Sequence, residues 1–394
     1  MQTKRHIAAV MELNWPYKRH YGIFSGIQKY AESHANWSFK LDNYPQVLMK
    51  SGVKFDGIIG RITKNCLVAA HDAGIPVVNV HLNSPVYSKV HGEYNDFYTA
   101  GCMAAEHLIA RGLRRFVQFG YKGGMGSELH YQGMLAVATE HGYPCTRYVV
   151  NPLFEETQQH WSRFVEYIAK SQSNWKAPLG AGFVSDELCR AVASTCLTMN
   201  WIIPEQLAMV GIGNEEIICT SFDPTLSSID IGYPQSGFEA ARLLDNLMQG
   251  KVLPIEPRYT PVKALVVRRS SDVFAVSNPK VEQALRYMAD HSGDPISVPL
   301  IAQAVGLGRQ SLERRFNLHL GRTINDELIR LRVETLKRLL VEGDESITRL
   351  SNTAGFGTTA NMHRRFKHCT GMTPVEYREK HGPRPKRDEL KSES

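Results

Sequence analysis

The stretch GFGTTANMHRRFKHCTG, residues 355–371, is foreshadowed by GLGRQSLERRFNLHLG, residues 306–321, forty-nine to fifty residues earlier. The likeness extends upstream, where V-x-x-I-A-x-x-V-G-L at Val298–Leu307 matches I-x-x-L-S-x-x-A-G-F at Ile347–Phe356. Apolar residues at helical spacing followed by a glycine predict a helix and its stop. Two helices that cross at a short turn need a small residue at the crossing and a glycine in the turn. Ala302 and Ser351 meet the first need, Gly306 and Gly355 the second. A second helix is predicted after each turn, Arg309 to Leu318 and Thr358 to Cys369, with a core aromatic, Phe316 or Phe366, behind an Arg-Arg pair. Between the copies, INDELIRLRVETLKRLLVE (Ile324 to Glu342) reads as a long amphipathic helix. Its Ile324, Leu328, Leu331, Leu336, Leu339 and Leu340 form a stripe that could dock both copies.

The repeat therefore predicts two helix-turn-helix units on one rod. Second helices held on one side of a duplex can enter successive major grooves, about one helical turn apart. Arg309, Gln310 and Glu313, then Thr358, Thr359 and Asn361, are polar types that can hydrogen-bond base edges. Arg314 with Arg315, and Arg364 with Arg365, are expected to divide between phosphate contacts and internal salt bridges. Hairpins that merely pack are the plain alternative, and the doubled glycines and the local charge weigh against it. Residues 275–394 carry 20 Lys and Arg against 15 Asp and Glu, whereas the other 274 residues carry 26 against 24. A basic end on a near-neutral body suits a polyanion-binding module beside a module for something else.

At 394 residues two or three domains are expected. The chain is 43% apolar and 22% charged, with no apolar run long enough to span a bilayer. MQTKRHIAAVMEL at the start reads as a first strand rather than a secretory signal. Seven scattered cysteines without a Cys-x-x-Cys pair argue against disulfides and zinc, and for a reducing cytoplasm.

Up to residue 272, HIAAVMEL, FDGIIGRI, IPVVNVHL, RRFVQFGY, GAGFVSD and LAMVGIGN read as short buried strands. Helical stretches lie between them, such as Tyr21 to Ala31, Ala100 to Arg111, Glu187 to Met199 and Gly237 to Gln249. This alternation predicts parallel sheets with helices on both faces, and ligands beyond the carboxyl ends of the strands. The expected division is 1–272 for the sensing part, a linker at 273–282, a helical DNA-binding part at 283–380 and a disordered tail at 381–394.

The final third, with LGRTINDELIRLRVETLKRLL, SITRLSNTAGF and HCTGMTPVEYR, resembles the tandem helix-turn-helix domain of the AraC/XylS family over roughly 280–380. Ser351 stands where that family usually has Ala, and Met362 where it often has an aromatic. The first 272 residues resemble the sensor core of LacI/GalR repressors, in YNDFYTAGCMAAEHLIARGLRRFVQFG, FVSDELCRAVASTCLTMNWIIPEQLAMVGIGNEE and LSSIDIGYPQSGFEAARLLDNLMQG. Together they imply an α/β, two-lobed periplasmic-binding-protein-like sensor followed by an all-α tandem helix-turn-helix domain. They imply double-stranded DNA as partner, a small effector (a sugar such as xylose or a derivative), a cytoplasmic homodimer, and RNA polymerase as a further partner.

For the effector, carboxylates or amides that accept from hydroxyls and aromatics that cover a ring are the expected chemistry. Trp15, Tyr17, Asp96, His130, Asp186 and Asn214 are the candidates, although an Asp at a strand end is as often a helix cap. Three positions depart from the family: His130 replaces an Arg, Gly213 an Asp, and Ile231 a Gln. They keep open a constitutive DNA-binding dimer whose pocket has lost its ligand. GYKGGMGSE, residues 120–128, lacks the Gly-Lys-Ser/Thr ending of a phosphate loop and reads as a cleft rim; Lys122 is the residue to suit a sugar phosphate. No metal-spaced His/Cys set, nucleophile elbow or paired carboxylates are found, so neither an enzyme nor a cofactor is expected.

Overall fold

A computed structural model describes residues 4–13, 18–42, 52–151, 158–272, 278–291, 293–342 and 345–381. The chain divides into two compact units, Met1–Val273 and Phe274–Ser394.

The first unit runs β1 Arg5–Val10, α1 Lys18–His34, β2 Trp37–Asp42, β3 Gly57–Gly60, α2 Lys64–Asp72, β4 Val77–Asn79, β5 Gly92–Asn95, α3 Phe97–Ala110, β6 Phe116–Tyr121 and α4 Met125–Glu140. It continues with β7 Cys145–Val150, α5 Gln158–Gln172, β8 Leu179–Phe183, α6 Asp186–Thr198, β9 Leu207–Ile212, α7 Glu216–Thr220, β10 Ser227–Asp230, α8 Tyr233–Met248, β11 Pro257–Thr260 and β12 Ala264–Val266. Two six-stranded sheets result, ordered β11-β5-β4-β3-β1-β2 and β12-β10-β9-β8-β6-β7. All pairings are parallel except β10 with β12. β3, β8 and β9 are buried along their whole length, as parallel strands covered on both faces must be. The chain passes between the lobes three times: after β5, after β10 and after β11.

Glycine permits two close helix crossings. A Cβ on Gly26 would stand 1.8 Å from the Pro234 carbonyl oxygen, and one on Gly237 1.8 Å from that of Ile23, so α1 and α8 touch backbone to backbone. In the second lobe α3 and α4 repeat the device, with Gly101 at 2.1 Å from the His130 oxygen and Gly133 at 2.1 Å from that of Tyr98.

The second unit is helical: α9 Pro279–Asp290, α10 Val298–Ala304, α11 Arg309–Leu320, α12 Ile324–Glu342, α13 Ile347–Thr353, α14 Thr359–Thr370 and α15 Pro374–His381. α9 begins inside the stretch expected as linker, because Asn278 caps the amides of Lys280 and Val281 and Pro279 sets the first helical φ. Residues 273–277 and the tail from 382 lie outside the described residues. Gly306 and Gly355 adopt φ of +68° and +75°, the left-handed turn that stops α10 and α13. α12 serves two cores. Its Ile324 and Leu328 pack with Leu312 and Phe316 of the first copy, its Leu336 and Leu340 with Met362 and Phe366 of the second. Glu327, fully buried on α12, is clasped by Arg322 and Arg330, each at 2.6 Å. Among the described residues no helix is long and apolar enough to cross a membrane, and no cluster of His, Cys, Asp and Glu could hold a metal.

Two substitutions test this packing in thermal and urea unfolding of the full chain. Gly26→Ala should destabilise the first unit by about 1–3 kcal/mol or more, since its Cβ meets backbone that cannot yield. Glu327→Ala should cost the second unit about 3–5 kcal/mol, because it removes the buried carboxylate that Arg322 and Arg330 share.

Candidate ligand cleft and DNA-reading helices

A cavity of about 190 Å³ opens in the first unit, where the carboxyl ends of the strands of both sheets face each other. The first lobe supplies Arg19, His20 and Ile23 from α1, residues 80–83 after β4, Asn95 and Phe97 around the end of β5, and Tyr233 at the start of α8. The second lobe supplies Tyr121 to Ser127 in part, Ser185 and Glu187 around the start of α6, and Gly213 and Glu215 after β9. The parallel topology brings every one of these loops to one place.

Asn83 Oδ1 accepts from the Met125 amide at 2.7 Å, joining the lobes across the opening. Asn95 Nδ2 donates to the Ile231 carbonyl at 3.0 Å. The His20 and His81 rings meet edge to face at 5.9 Å. Burial, and then the Arg19 guanidinium, push the His20 pKa down to about 4 and that of His81 well below its ordinary value. Both imidazoles are therefore neutral at pH 7 and act as hydrogen-bonding groups. Burial pushes the Tyr121 phenol up to about 12, and its oxygen lies 3.3 Å from Ser185 Oγ. The side chains of Arg19, Lys122 and Glu187 line this cavity and make no hydrogen bond or ion pair with another described residue.

The residues expected to hold the effector are placed differently. Asp96 caps α3, accepting from the Thr99 amide at 2.9 Å and the Thr99 hydroxyl at 2.6 Å. His130 is fully buried against Gln118, with Nδ1 3.2 Å from Nε2, and burial pushes its pKa down to about 3. Asp186 is 1% exposed and accepts from Ser228 Oγ at 2.6 Å and from the Glu215 amide at 2.9 Å. Asn214, at φ +51°, accepts from the Arg268 guanidinium at 2.7 Å. None of these four lines the cavity, although their neighbours Asn95, Phe97, Ser185, Glu187, Gly213 and Glu215 do. Trp15 and Tyr17 lie outside the described residues. Gly213 is explained locally: its φ is +124°, and a side chain there would meet Asp186 Oδ2 at 3.2 Å. Ile231 is fully buried. Sequence reasoning missed Arg19, His20, His81 and Glu187. Glu187 lies within FVSDE, next to the candidate Asp186, whereas Arg19 and His20 carry no motif and are placed only by the fold.

In the second unit, Gln310 and Arg314 are exposed on α11, and Arg309 Nε pairs with Glu313 at 2.9 Å. On the second copy Thr358 caps α14 through the Asn361 amide at 3.2 Å, Thr359 is half-buried, and Arg364 is exposed. Asn361 Nδ2 donates to the Phe356 carbonyl at 3.3 Å and its Oδ1 accepts from Arg364 at 3.3 Å. The internal ion pair of the first copy thus uses Arg309 rather than the Arg-Arg pair. Arg315 and Arg365, fifty residues apart, are half-buried, and the Nε of each makes no hydrogen bond.

The buried histidines predict a pH dependence. Between pH 6.5 and about 4 the unfolded chain takes up protons on His20, His81 and His130 that the folded first unit refuses, so stability falls as pH falls. Each contributes a slope of up to about 1.4 kcal/mol per pH unit. Asp186 works in the opposite sense, because burial raises its folded pKa to about 6 from 3.8 and the folded state gains a proton in that window. Urea unfolding at stepped pH should show the net loss, and His20→Gln should remove one histidine's share of the slope.

Residues 105–271 match the periplasmic binding protein-like domain family, and residues 301–380 match a helix-turn-helix domain family. The chain is 28% identical to the xylose operon regulatory protein of Escherichia coli K12 over 392 residues, covering 96% of this chain and 98% of that one. The Haemophilus influenzae protein of the same name is 28% identical over 284 residues, 70% of this chain and 71% of that one. Among solved structures, the xylose-binding transcription activator xylR superposes with a TM-score of 0.59 at 25% identity, over 97% of this chain and 99% of that one. A LacI family regulator from Enterococcus faecium with bound ribose matches 68% of this chain and 98% of its own at 17% identity and TM-score 0.56, which establishes the fold alone. The chain thus joins a periplasmic-binding-protein-like domain to an AraC-type helix-turn-helix domain, and it is a DNA-binding transcription regulator resembling the xylose operon regulator rather than an enzyme.

Proposed function

We propose that the first unit senses a polyhydroxylated small molecule, a sugar such as xylose or a derivative, and that the second unit delivers the response on promoter DNA. In this reading the protein is a cytoplasmic bacterial homodimer controlling carbohydrate catabolism genes. It acts as an activator that places RNA polymerase within reach. The observation that carries the reading is the cavity between the lobes, whose lining includes Arg19, Lys122 and Glu187, three charged side chains with no hydrogen-bond or ion-pair partner among the described residues. Glu187 is a hydroxyl acceptor, Arg19 and Lys122 are donors, and the neutral His20 and His81 serve either way. Arg19 and Glu187 belong to opposite lobes, so a molecule that bonds to both favours their approach. Such a ligand shifts the population of closed sensor only by its differential affinity for the two states. The name of one similar protein, a xylose-binding transcription activator, supports the same reading.

A thermal-shift screen of pentoses, hexoses, sugar acids and sugar phosphates on the full chain tests the sensor. One compound should raise the melting temperature, with about 2.7 kcal/mol of stabilisation at a hundred times its dissociation constant. Arg19→Gln and Glu187→Gln should each abolish that shift. No shift across the panel would leave a constitutive DNA-binding dimer. For the reader, Arg314→Ala should weaken promoter binding evenly across sequences and reduce the salt slope by about one. Gln310→Ala should instead relax preference at one base pair, by about 1–3 kcal/mol.

A further inference from the structure

Asp186 and Asn214 stand behind the cavity wall, and they are joined to each other. Asp186 lies between the cavity-lining Ser185 and Glu187. Its carboxylate accepts from the Glu215 amide at 2.9 Å and from Ser228 Oγ at 2.6 Å, and Ser228 Oγ in turn accepts from the Asn214 amide at 2.9 Å. Asn214 then offers its side-chain oxygen to Arg268 Nη2 at 2.7 Å. Arg268 also donates from Nη1 to the Leu226 carbonyl at 2.9 Å, while its own amide and carbonyl bond to Ser227 Oγ at 2.7 and 2.8 Å. Beyond it, Ser271 Oγ meets Ser227 Oγ at 2.7 Å and His107 Nε2 at 2.7 Å. Arg268 follows β12, the strand that ends the second sheet. Four residues later, at Asp272, the described part of the first unit ends, and the chain goes on to the DNA-binding unit.

We propose that Arg268 is a positioning residue that locks the cavity loop Gly213–Glu215 to the exit segment 268–272, so that displacement of the loop by an effector is transmitted to the connection with the DNA-binding unit. This rests on the reading of the cavity as the effector site. The guanidinium suits the task because its planar fork bonds two oxygens on different segments at once, which an ammonium cannot do with comparable direction. Asn214 suits it as well: it tolerates left-handed backbone, and its φ of +51° turns the side chain back toward β12 while Gly213 and Glu215 face the cavity. A bracing role alone would not require the brace to run from the cavity rim to the segment where the chain leaves. Coupling between the two segments is read by a double-mutant cycle.

The test is hydrogen exchange by mass spectrometry on the full chain without ligand, comparing wild type, Asn214→Gly, Arg268→Met and the double variant. Asn214→Gly keeps the left-handed backbone and removes only the acceptor, and Arg268→Met keeps an apolar stem and removes the fork. Each single variant should raise exchange about tenfold in both 213–217 and 268–272, and the double variant should add nothing further. The strands β6 and β8 should exchange as in wild type. Arg268→Lys should fail to restore protection at 213–217. Effects confined to the mutated segment, an additive double variant, or a rise across the whole first unit would each overturn the proposal. No ligand enters this cycle. A failed cycle therefore leaves the effector reading standing, and an empty ligand screen leaves the cycle standing.

Discussion

The first unit depends on the backbone contact between α1 and α8. The segment that returns from the second lobe must dock on the first, and it does so where Gly26 and Gly237 remove every side-chain atom between two helices. A contact this close admits one register, because sliding either helix by a turn would set side chains against backbone. The amino ends of both helices point into the cleft. Arg19, His20 and Ile23 at the start of one, and Tyr233 at the start of the other, are therefore held as a rigid corner of the cavity. The α3–α4 crossing gives the second lobe the same rigidity beside the Tyr121–Ser127 loop.

How much of this was legible in the sequence follows from how local each signal is. The strands that read clearly, β1, β3, β4, β6, β8 and β9, are short apolar runs. β2, with WSFKLD, and β7, with CTRYVV, sit at sheet edges and keep polar residues in view of solvent, so they lacked the buried-strand pattern. The helix-turn-helix repeat was readable to within two residues at its helix ends because caps and glycines mark it from within. The cleft was legible only by address. Asp186 and Asn214, the candidates in FVSDE and GIGNEE, fall in loops that reach the cavity, but the burial of Asp186 and the turn at Asn214 leave their neighbours on the lining. No local pattern distinguishes a carboxylate that faces a cavity from one that stands a residue away and holds the loop.

The two units place polar groups in opposite ways. In the first unit the buried Asp186 lies behind the cavity and is satisfied by Ser228 Oγ and the Glu215 amide, which fixes the wall, while Arg19, Lys122 and Glu187 on the lining have no hydrogen-bond partner among the described residues. In the reader, buried charge is concentrated at Glu327 with its two arginines, inside the rod that carries both copies. Such a group contributes more to a unique arrangement of helices than to net stability, since desolvation offsets much of the attraction.

The rod has one further consequence. α12 gives each copy its own core, and the copies expose different side chains: Arg309, Gln310 and Arg314 on one, Thr358 and Arg364 on the other. They follow one another along a single chain rather than facing each other across a two-fold axis. A DNA site read by both copies of one chain would accordingly have no mirror halves; it would have a left and a right. A chain bound to such a site would have a heading, and reversing the site along the chromosome would turn the regulator round with it.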